Sequence, residues 1–383
     1  MKKILIEISF MLFIEVYFII FIAVIGTAYK IESLGTCICD SCLDCNEAIT
    51  SRDCVNIKLE KDLLSFDETC IKNPENFNNK IFDCQGNKIE GNNLIETYGI
   101  YLENKNNNTI KDCIISKFYD GVYISQSFGN KIINNTIIDN KRNGIYLSNS
   151  SSNIIMSNLI KGNSVGINLG YSINNILASN ILENNSLDGI AISFSSNNFL
   201  KENRIGKSNI GIFMDSSSEN KIESNRIFSN TYAAIYLFHN SSYNTIFSNE
   251  IINNSNFGIA ISNCYYTNAY CLEECENNIF EKNNISNNKI GIYSNSSSSI
   301  FKSNIVCYNS EADFYSFDWM KSHGDNNICN MPINWRDERK LGCSNKCEEI
   351  NYSNKNHEKN IFILIAIVLL IFCFIILKLL KLP

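Results

Sequence analysis

The chain has 383 residues, a formal net charge of -6 and 61 Asn, about one residue in six. An acidic chain without a basic cluster does not fit a nucleic-acid-binding protein. A hydrophobic content of 45% with 23 Phe and 18 Tyr is too high for a disordered protein. The 16 Cys favour an oxidising compartment, because a reducing cytosol keeps such cysteines as thiols unless they bind metal.

Residues 1–28 have the pattern of a secretory signal. Two lysines precede a long apolar run, which ends in the small residues Gly26-Thr27-Ala28, as at a cleavage site. Glu7 and Glu15 interrupt the run. An uncleaved segment that acts as an anchor is therefore an open alternative.

Residues 29–84 are predicted to form a Cys-rich cap with one short helix over 43–52. Four cysteines follow the pattern Cys37-x-Cys39-x-x-Cys42-x-x-Cys45. This spacing could bind zinc or a metal cluster, whereas dense cysteines in a secreted chain pair into disulfides. Disulfides are the favoured interpretation, and no metal or other cofactor is predicted.

A repeat of 22–24 residues occupies residues 85–311. Each unit carries Gly-Ile-Tyr-Leu or a close variant, which begins at Gly99, Gly121, Gly144, Gly166, Gly189, Gly211, Ala234, Gly258 and Gly291. The last spacing is longer because of an insertion between Cys264 and Cys275. Three columns of Asn recur between these markers, separated by short Ile-rich stretches.

This pattern predicts a triangular coil, because three short strands alternate with residues that tolerate a left-handed backbone. Coils stacked at the parallel-strand spacing pair each backbone with the coils above and below. Each strand buries one apolar column, and Asn side chains in register form amide ladders along the stack. The nine markers predict nine coils, a rod of about 45 Å.

Residues 312–347 are predicted to cap the other end, since an open solenoid edge needs a cover. This segment contains Trp319 and Trp335. Cys329 and Cys343 are expected to form a disulfide that closes a loop around Trp335.

A second disulfide is expected between Cys84 and Cys113, with two buried free thiols as the alternative. They occupy equivalent places on successive coils, so their Cα atoms lie about 4.8 Å apart, within disulfide range. Fifteen cysteines precede the apolar C-terminal segment. Because this number is odd, at least one is expected to stay free or to pair with another chain.

Residues 348–360 are predicted to form a polar stalk, and residues 361–377 a transmembrane helix. The latter run contains no charge and has about the minimum length that spans a bilayer; a buried core helix is the alternative. Lys378 and Lys381 favour a cytoplasmic tail over 378–383. The chain is thus predicted to be a single-pass protein of the cell membrane with an extracytoplasmic repeat domain.

The repeat resembles the right-handed parallel β-helix family that includes NosD and archaeal surface proteins. The resemblance is carried by the Gly-Ile-Tyr-Leu coils, by the segment Phe-Asp-Cys-Gln-Gly-Asn-Lys-Ile at 82–89, and by the terminator around Trp335. It implies a right-handed, single-stranded β-helix. It implies little about activity, because this superfamily also includes pectate lyases, polygalacturonases and uronate epimerases.

Copper transfer of the NosD kind needs grouped His and Met, whereas His239, His323 and His357 are scattered along the chain. The signatures of polygalacturonases and uronate epimerases are absent. A polysaccharide lyase is the alternative enzymatic hypothesis, with candidate catalytic residues Arg204, Arg226 and Glu250 at one repeat position. A ladder of surface ion pairs is the competing interpretation of this stripe.

The third position of the tetrapeptide points outward, because its second and fourth positions are predicted to face the core. This column is rich in aromatic residues, and its candidate ligand-binding members are Tyr101, Tyr123, Tyr146, Phe213, Tyr236 and Tyr293. Such a row can stack against sugars or a protein partner, or it can reflect the preference of strands for aromatics. Asp215 and His239 fall near one corner and are interpreted as turn residues.

The leading hypothesis is a membrane-anchored surface protein with a structural, adhesive or carbohydrate-binding role. Its expected partners are the membrane and glycans or cell-surface proteins, without nucleic acid. The sequence favours a protein without catalytic activity over the lyase alternative.

Overall fold

The computed structural model describes residues 29–262, 274–295, 298–316, 319, 321–338 and 340–347. The predicted signal segment, stalk, transmembrane helix and tail lie outside the described residues, as do most of the insertion, His357 and Cys373. No helix within the described ranges is long and apolar enough to cross a membrane.

Three long sheets run along a parallel solenoid, and each coil contributes one strand to each sheet. Sheet A contains Lys30–Ser33, Gly35–Cys39, Cys54–Leu59, Ile81–Asp83, Thr109–Lys111, Lys131–Ile133, Ile154–Met156, Ile176–Ala178, Phe199–Lys201, Lys221–Glu223, Thr245–Phe247, Asn278–Glu281, Ser299–Lys302 and His323–Asp325. Sheet B contains Leu63–Phe66, Lys88–Gly91, Ile114–Ser116, Thr136–Ile138, Leu159–Lys161, Ile181–Glu183, Arg204–Gly206, Arg226–Phe228, Glu250–Ile252, Asn284–Ser286, Ile305–Cys307 and Ile328–Cys329.

Sheet C carries the longest strands, most of them six residues long. It contains Ile71–Lys72, Tyr98–Glu103, Asp120–Ser125, Asn143–Ser148, Val165–Gly170, Asp188–Ser193, Ile210–Asp215, Ala233–Phe238, Phe257–Ser262, Ile290–Asn295, Ala312–Ser316 and Pro332–Ile333. A short antiparallel hairpin, Arg336–Asp337 with Lys340–Leu341, follows. Sheets B and C each have 12 strands. The solenoid therefore has about twelve turns where the markers predict nine, because residues before Gly99 and after Gly291 pair in the same register without the tetrapeptide.

The core is a stack of aliphatic columns. Ile145 pairs with Val122 and Ile167 on the neighbouring coils, and all three are fully buried. The marker glycine is the second residue of this strand, where a side chain has little room, and Ala234 is the one larger residue among the nine markers. A Cβ at Gly144 would lie 2.7 Å from the carbonyl oxygen of Gly166. Parallel pairing therefore places each glycine against the backbone of the next coil.

The Asn columns form the predicted ladders. Asn153 donates its backbone N–H (2.9 Å) and its Nδ2–H (3.0 Å) to Oδ1 of Asn175 on the next coil. Nδ2 of Asn175 also donates to the carbonyl of Ser150 on the preceding coil, at 3.1 Å. Each buried amide is therefore satisfied by its neighbours, as burial of a polar group requires.

The left-handed residue at each corner is the one before the ladder Asn, and it varies in type. Examples are Ser152 (φ 55°), Asn174 (φ 58°) and Glu219 (φ 58°). The ladder Asn themselves are not in this region of backbone space. Asn is thus required in the columns for its amide hydrogen bonds, whereas the corner tolerates several residue types.

Two ladders end at buried carboxylates near the C-terminal end. Asn309 donates from Nδ2 to Oδ1 of Asp313 at 2.9 Å. Asn327 donates from its backbone N–H (3.0 Å) and from Nδ2 (2.7 Å) to Asp337. A carboxylate only accepts hydrogen bonds, so it can receive the donors of the last ladder Asn without leaving a donor of its own unpaired.

The N-terminal end is covered by helix α1, Cys42–Thr50, close to the predicted 43–52. Ser41 caps the helix by accepting from Asp44 N–H at 3.1 Å. At the C-terminus of the helix, Nζ of Lys80 donates to the carbonyls of Ile49 (2.6 Å) and Ser51 (2.5 Å). Burial lowers the pKa of Lys80, and these helix C-terminal carbonyls complement its charge.

Disulfides staple both ends of the solenoid. The six described pairs are Cys37–Cys54, Cys39–Cys45, Cys42–Cys70, Cys84–Cys113, Cys307–Cys347 and Cys329–Cys343. The four cysteines considered as metal ligands are therefore all consumed in disulfides. Cys275 is the one free cysteine within the described ranges, and burial raises its pKa to about 12.

Candidate functional site

The outer face of sheet C carries two rows of outward side chains in register. The first outward row is Tyr98, Asp120, Asn143, Val165, Asp188, Ile210, Ala233, Phe257, Ile290 and Ala312. The second outward row is Tyr101, Tyr123, Tyr146, Asn168, Ala191, Phe213, Tyr236, Ala260, Tyr293 and Tyr315. The second row contains all six candidate ligand-binding aromatics.

The aromatic residues separate into two groups. In the first, Tyr101 stacks on Tyr123 with ring centroids 5.5 Å apart, and Tyr123 stacks on Tyr146 at 5.0 Å. Tyr98 joins them from the first outward row, 5.3 Å from Tyr123. Burial and a hydrogen bond to Glu103 raise the pKa of Tyr101 to about 12. We call these four residues the tyrosine bank.

The second group lies towards the C-terminal end and is packed less regularly. Phe213 tilts against Tyr236 at 5.8 Å, and Phe257 against Tyr293 at 5.0 Å. In the tyrosine bank, neighbouring rings cover much of each other's faces. The bank therefore presents edges and hydroxyls outward, which suits hydrogen bonding better than stacking.

Between the two groups lies a stretch without bulky side chains, two coils long, which we call the low section. Its floor consists of Asn168 and Gly170 on one coil and Ala191 and Ser193 on the next. Tyr146 leans over its edge, since a Cβ at Gly170 would lie only 3.0 Å from the Tyr146 hydroxyl. From Tyr146 to Phe213 the low section spans three coil steps, about 14 Å.

An exposed aromatic pair borders the low section at the corner after sheet C. Tyr171 and Phe194 follow its two strands and are 60% and 51% exposed. Their rings are parallel within 6°, with centroids 5.0 Å apart. Both have a left-handed backbone, φ 51° and 50°, which bulky residues rarely adopt. Each ring contributes one face to the pair, and more than half of each residue stays exposed to a ligand.

The sequence pattern did not predict this corner pair, because the tetrapeptide ends before the corner position. The signal lies in the residue that directly follows each sheet C strand. Gln126, Asn149 and Ser216 occupy the same corner position on nearby coils, with φ between 47° and 50°. Two adjacent aromatics in a position that holds Asn149 and Ser216 on the flanking coils are a departure from the repeat, and such departures mark candidate sites.

Asp188 lies at the opposite border of the low section, between Val165 and Ile210 on the adjacent coils. It is half-buried, and burial raises the pKa of its carboxyl group to about 7. Among the described residues, no group donates a hydrogen bond to this carboxylate. An unpartnered carboxylate between aliphatic side chains destabilises the fold when it is ionised.

Asp120 holds the same position three coils earlier in a different environment. It is fully buried. Its carboxylate accepts hydrogen bonds from Nε (3.0 Å) and Nη2 (2.6 Å) of Arg142. Asn143 adds its backbone N–H at 2.9 Å and its Nδ2–H at 2.8 Å. The Arg142 guanidinium also lies over the Tyr146 ring, 5.4 Å from its centroid. Asp120 therefore fixes the edge of the tyrosine bank.

The candidate lyase residues lie on another face. Arg204, Arg226 and Glu250 occupy equivalent positions in sheet B, in register on three successive coils. Arg226 pairs with Glu250 at 3.3 Å, whereas Arg204 pairs with Glu183 at 2.9 Å. Arg204 and Arg226 are about half exposed, so these are surface ion pairs of small energetic value. Their assignment as catalytic residues stays a prediction.

Asp215 and His239 contact each other, with His239 Nδ1 3.3 Å from Asp215 Oδ1. They lie on adjacent coils where sheet C ends, beside the second aromatic group. His239 also packs on Phe238, with ring centroids 3.7 Å apart. The two residues predicted as turn residues are thus paired at this corner.

Copper ligands of the kind that NosD relatives imply do not fit the described residues. His239 lies at the end of sheet C and His323 in the last strand of sheet A. Within the described ranges, no three His, Cys, Asp or Glu side chains group as a metal site. We therefore derive no step through copper.

Three parallel sheets, each receiving one strand from every coil, define a parallel β-helix. A family model described as "Periplasmic copper-binding protein (NosD)" matches residues 85–270. The repeat region is therefore NosD-like, and its fold is that of the right-handed parallel β-helix repeat proteins. No curated protein matches it.

Solved structures share this architecture. A double mutant of the periplasmic alginate epimerase AlgG superposes with a TM-score of 0.57 at 15% identity, over 79% of this chain and 80% of that one. The A-module of the Azotobacter vinelandii mannuronan C-5 epimerase AlgE6 has a TM-score of 0.55 at 15% identity, over 73% and 81%. At this identity the likeness shows the fold alone. The disulfides and the NosD-like repeat are consistent with an extracytoplasmic domain.

Proposed function

We propose that this protein is an extracytoplasmic carbohydrate-binding solenoid whose ligand lies on the outer face of sheet C, across the low section. The observation that carries the proposal is the Tyr171–Phe194 pair, parallel and more than half exposed. Aromatic faces held open in this way suit the apolar faces of sugar rings. Anchoring to a membrane through residues 361–377 stays a prediction from the sequence.

The surroundings of the pair support a polar, extended ligand. Asn168 offers an amide and Ser193 a hydroxyl on the floor, and the tyrosine bank adds hydroxyl groups at one edge. One of the similar solved structures is named as an alginate epimerase and another as a mannuronan C-5 epimerase, so the architecture is compatible with a polysaccharide on its surface. Fold alone does not assign the ligand.

Hydrolysis by paired carboxylates is not supported by this face. Asp188 begins its strand, and Asp215 ends the strand of the next coil. The two carboxyl groups are therefore about 17 Å apart along the strand direction, beyond the roughly 5–10 Å used by glycoside hydrolases. Binding is the function that the described geometry favours.

The proposal is tested with the purified full chain on a glycan array, with a Tyr171→Ser/Phe194→Ser double variant alongside. We expect the parent to bind at least one oligosaccharide class and the variant to bind at least fivefold more weakly, about 1 kcal/mol. Tyr243→Ser is the matched control, because Tyr243 is 61% exposed with a φ of 59° but lies on a later coil, directly before the ladder residue Asn244. A parent without glycan binding, or a double variant that binds like the control, would contradict the proposal.

A further inference from the structure

The charges around the low section indicate what kind of sugar it can take. Asp188 faces the low section with no donor among the described residues. Its flanking neighbours, Val165 and Ile210, are aliphatic. A carboxylate in such a place needs donors from a ligand if it is to be ionised without penalty.

The charged groups on the elements packed against Asp188 are engaged with other partners. The strand Val165–Gly170 carries no titratable side chain. The strand Ile210–Asp215 carries only Asp215, which pairs with His239. Glu183, on the sheet B strand of the same coil, pairs with two cations of the next coil, Arg204 in sheet B and Lys207 at the corner that follows it.

The nearest cation on the outer face of sheet C is likewise committed. Arg142 precedes the strand Asn143–Ser148, which carries Tyr146 at the edge of the low section. Its guanidinium donates two hydrogen bonds to the buried Asp120. Withdrawing it would leave a buried carboxylate without its charge partner, which is strongly unfavourable. No free cation among the described residues of this face is thus placed to receive the carboxylate of an acidic sugar.

We propose that Asp188 accepts hydrogen bonds from adjacent hydroxyl groups of a neutral glycan, so that the low section selects uncharged sugars over uronates. The inference rests on the proposed function and names the class of its ligand. A glycan that also contacts the corner pair must cross the strand direction from Asp188 to Phe194. Six residue steps separate these residues, about 20 Å, so the ligand is an oligosaccharide.

The inference predicts the sign of the pH dependence. The carboxyl group of Asp188 has a pKa of about 7 in the free protein. Hydroxyl donors stabilise the ionised form and lower this pKa in the complex. Affinity for a neutral glycan therefore rises as the pH increases through 7. A uronate is repelled by the ionised carboxylate, so its affinity falls over the same range.

The test uses the full chain and fluorescently labelled hexasaccharides of mannose, glucose and mannuronate, with anisotropy measured at about pH 5.5 and about pH 8.5 at constant ionic strength. We expect a neutral hexasaccharide to bind at least fivefold more tightly at the higher pH. Asp188→Asn should match the parent at the lower pH and bind at least fivefold more weakly than the parent at the higher pH. Glu202→Gln, a substitution of an exposed carboxylate at the A–B corner, is the control and should bind like the parent.

The outcomes separate this inference from the proposed function. A preference for the mannuronate hexamer, or unchanged neutral binding by a folded Asp188→Asn, overturns the assignment of Asp188 while glycan binding stands. If the pH dependence persists in Asp188→Asn, it comes from another group such as His239, and the assignment also fails. Absence of any binding by the parent overturns both proposals.

Discussion

Asp120 and Asp188 stand at the same repeat position of sheet C, and the fold treats them in opposite ways. Asp120 has four donors from Arg142 and Asn143. Asp188 has none among the described residues and lies between two aliphatic side chains. The solenoid therefore repeats its backbone environment but not its side-chain environment. One carboxylate stabilises the structure, and the other is available to a ligand.

The aromatic residues of the two regions differ in the same way. In the tyrosine bank, the rings stack on one another and are half-buried, so they contribute packing energy. Two coils further on, Tyr171 and Phe194 are exposed on an unfavourable backbone conformation. A region that tolerates strain and an unpaired charge together is the place to expect function.

The largest predicted effect on stability concerns the buried aliphatic core, which lies under both regions of sheet C. Ile145 lies in the region of the tyrosine bank and Ile190 in the low section, and both are fully buried. Replacing either by Asp buries an unpaired charge, so we expect a loss of about 4 kcal/mol or more in the free energy of unfolding. Urea unfolding measures this loss, and Tyr146→Ser serves as the half-exposed control with a much smaller effect. A variant as stable as the parent would show that the inward orientation assigned to Ile145 and Ile190 is wrong.

The next prediction concerns the partnered carboxylate. Asp120→Asn keeps the shape of the side chain but removes the charge that holds the Arg142 guanidinium. We expect a loss of about 3 kcal/mol in the free energy of unfolding, together with greater mobility of Tyr146. Urea unfolding gives the first quantity and near-ultraviolet circular dichroism reports the second. An unchanged midpoint would mean that the ion pair contributes nothing net to stability.

Replacing Asp188 by Asn is expected to raise the free energy of unfolding, whereas the same replacement at Asp120 lowers it. The pKa of Asp188 in the folded state is raised from 3.8 to about 7, so the folded chain binds the proton more tightly than the unfolded chain. Stability is therefore lost as the pH rises from about 4 to 7. Asp188→Asn removes this loss. A shift of this size corresponds to about 4 kcal/mol, and solvent screens part of it because Asp188 is only half-buried. We therefore expect Asp188→Asn to be about 2 kcal/mol more stable than the parent near pH 8.5 and equal to it near pH 4.

Thermal unfolding at both pH values measures this difference, with Glu202→Gln as the control. A variant that is less stable than the parent near pH 8.5 would show that Asp188 has donors in the folded chain. The inference on neutral glycans would then lose its basis.

The repeat pattern was sufficient to predict the coil, the inward columns and the amide ladders. These features recur at a fixed spacing, and a slip of one residue would reverse every side chain. The number of turns was not predictable from the tetrapeptide. The first and last coils replace it with segments such as Ile71–Lys72 and Pro332–Ile333, which pair through backbone groups that any sequence carries.

The candidate site was predictable only in part. The outward direction of Tyr101, Tyr123 and Tyr146 follows from strand alternation, but their mutual stacking depends on side-chain rotamers. The raised pKa of the Asp188 carboxyl group depends on burial between Val165 and Ile210. These residues are distant in sequence and contact Asp188 only because the coils stack. A search for departures from the repeat, rather than for the repeat itself, would have drawn attention to the corner pair.

The smallest expected effect on stability belongs to the corner pair, and it separates binding from folding. Asn tolerates the left-handed backbone of positions 171 and 194, so a Tyr171→Asn/Phe194→Asn double variant relieves strain of about 1 kcal/mol per residue. The lost ring contact costs about 1 kcal/mol, and little apolar area leaves the core because both rings are exposed. We expect the free energy of unfolding to stay within about 1 kcal/mol of the parent while glycan binding falls at least fivefold. Urea unfolding and anisotropy on the same preparation measure both. Destabilisation above about 2 kcal/mol would assign the pair to the fold, and the contrast between the two regions of sheet C would no longer identify a ligand site.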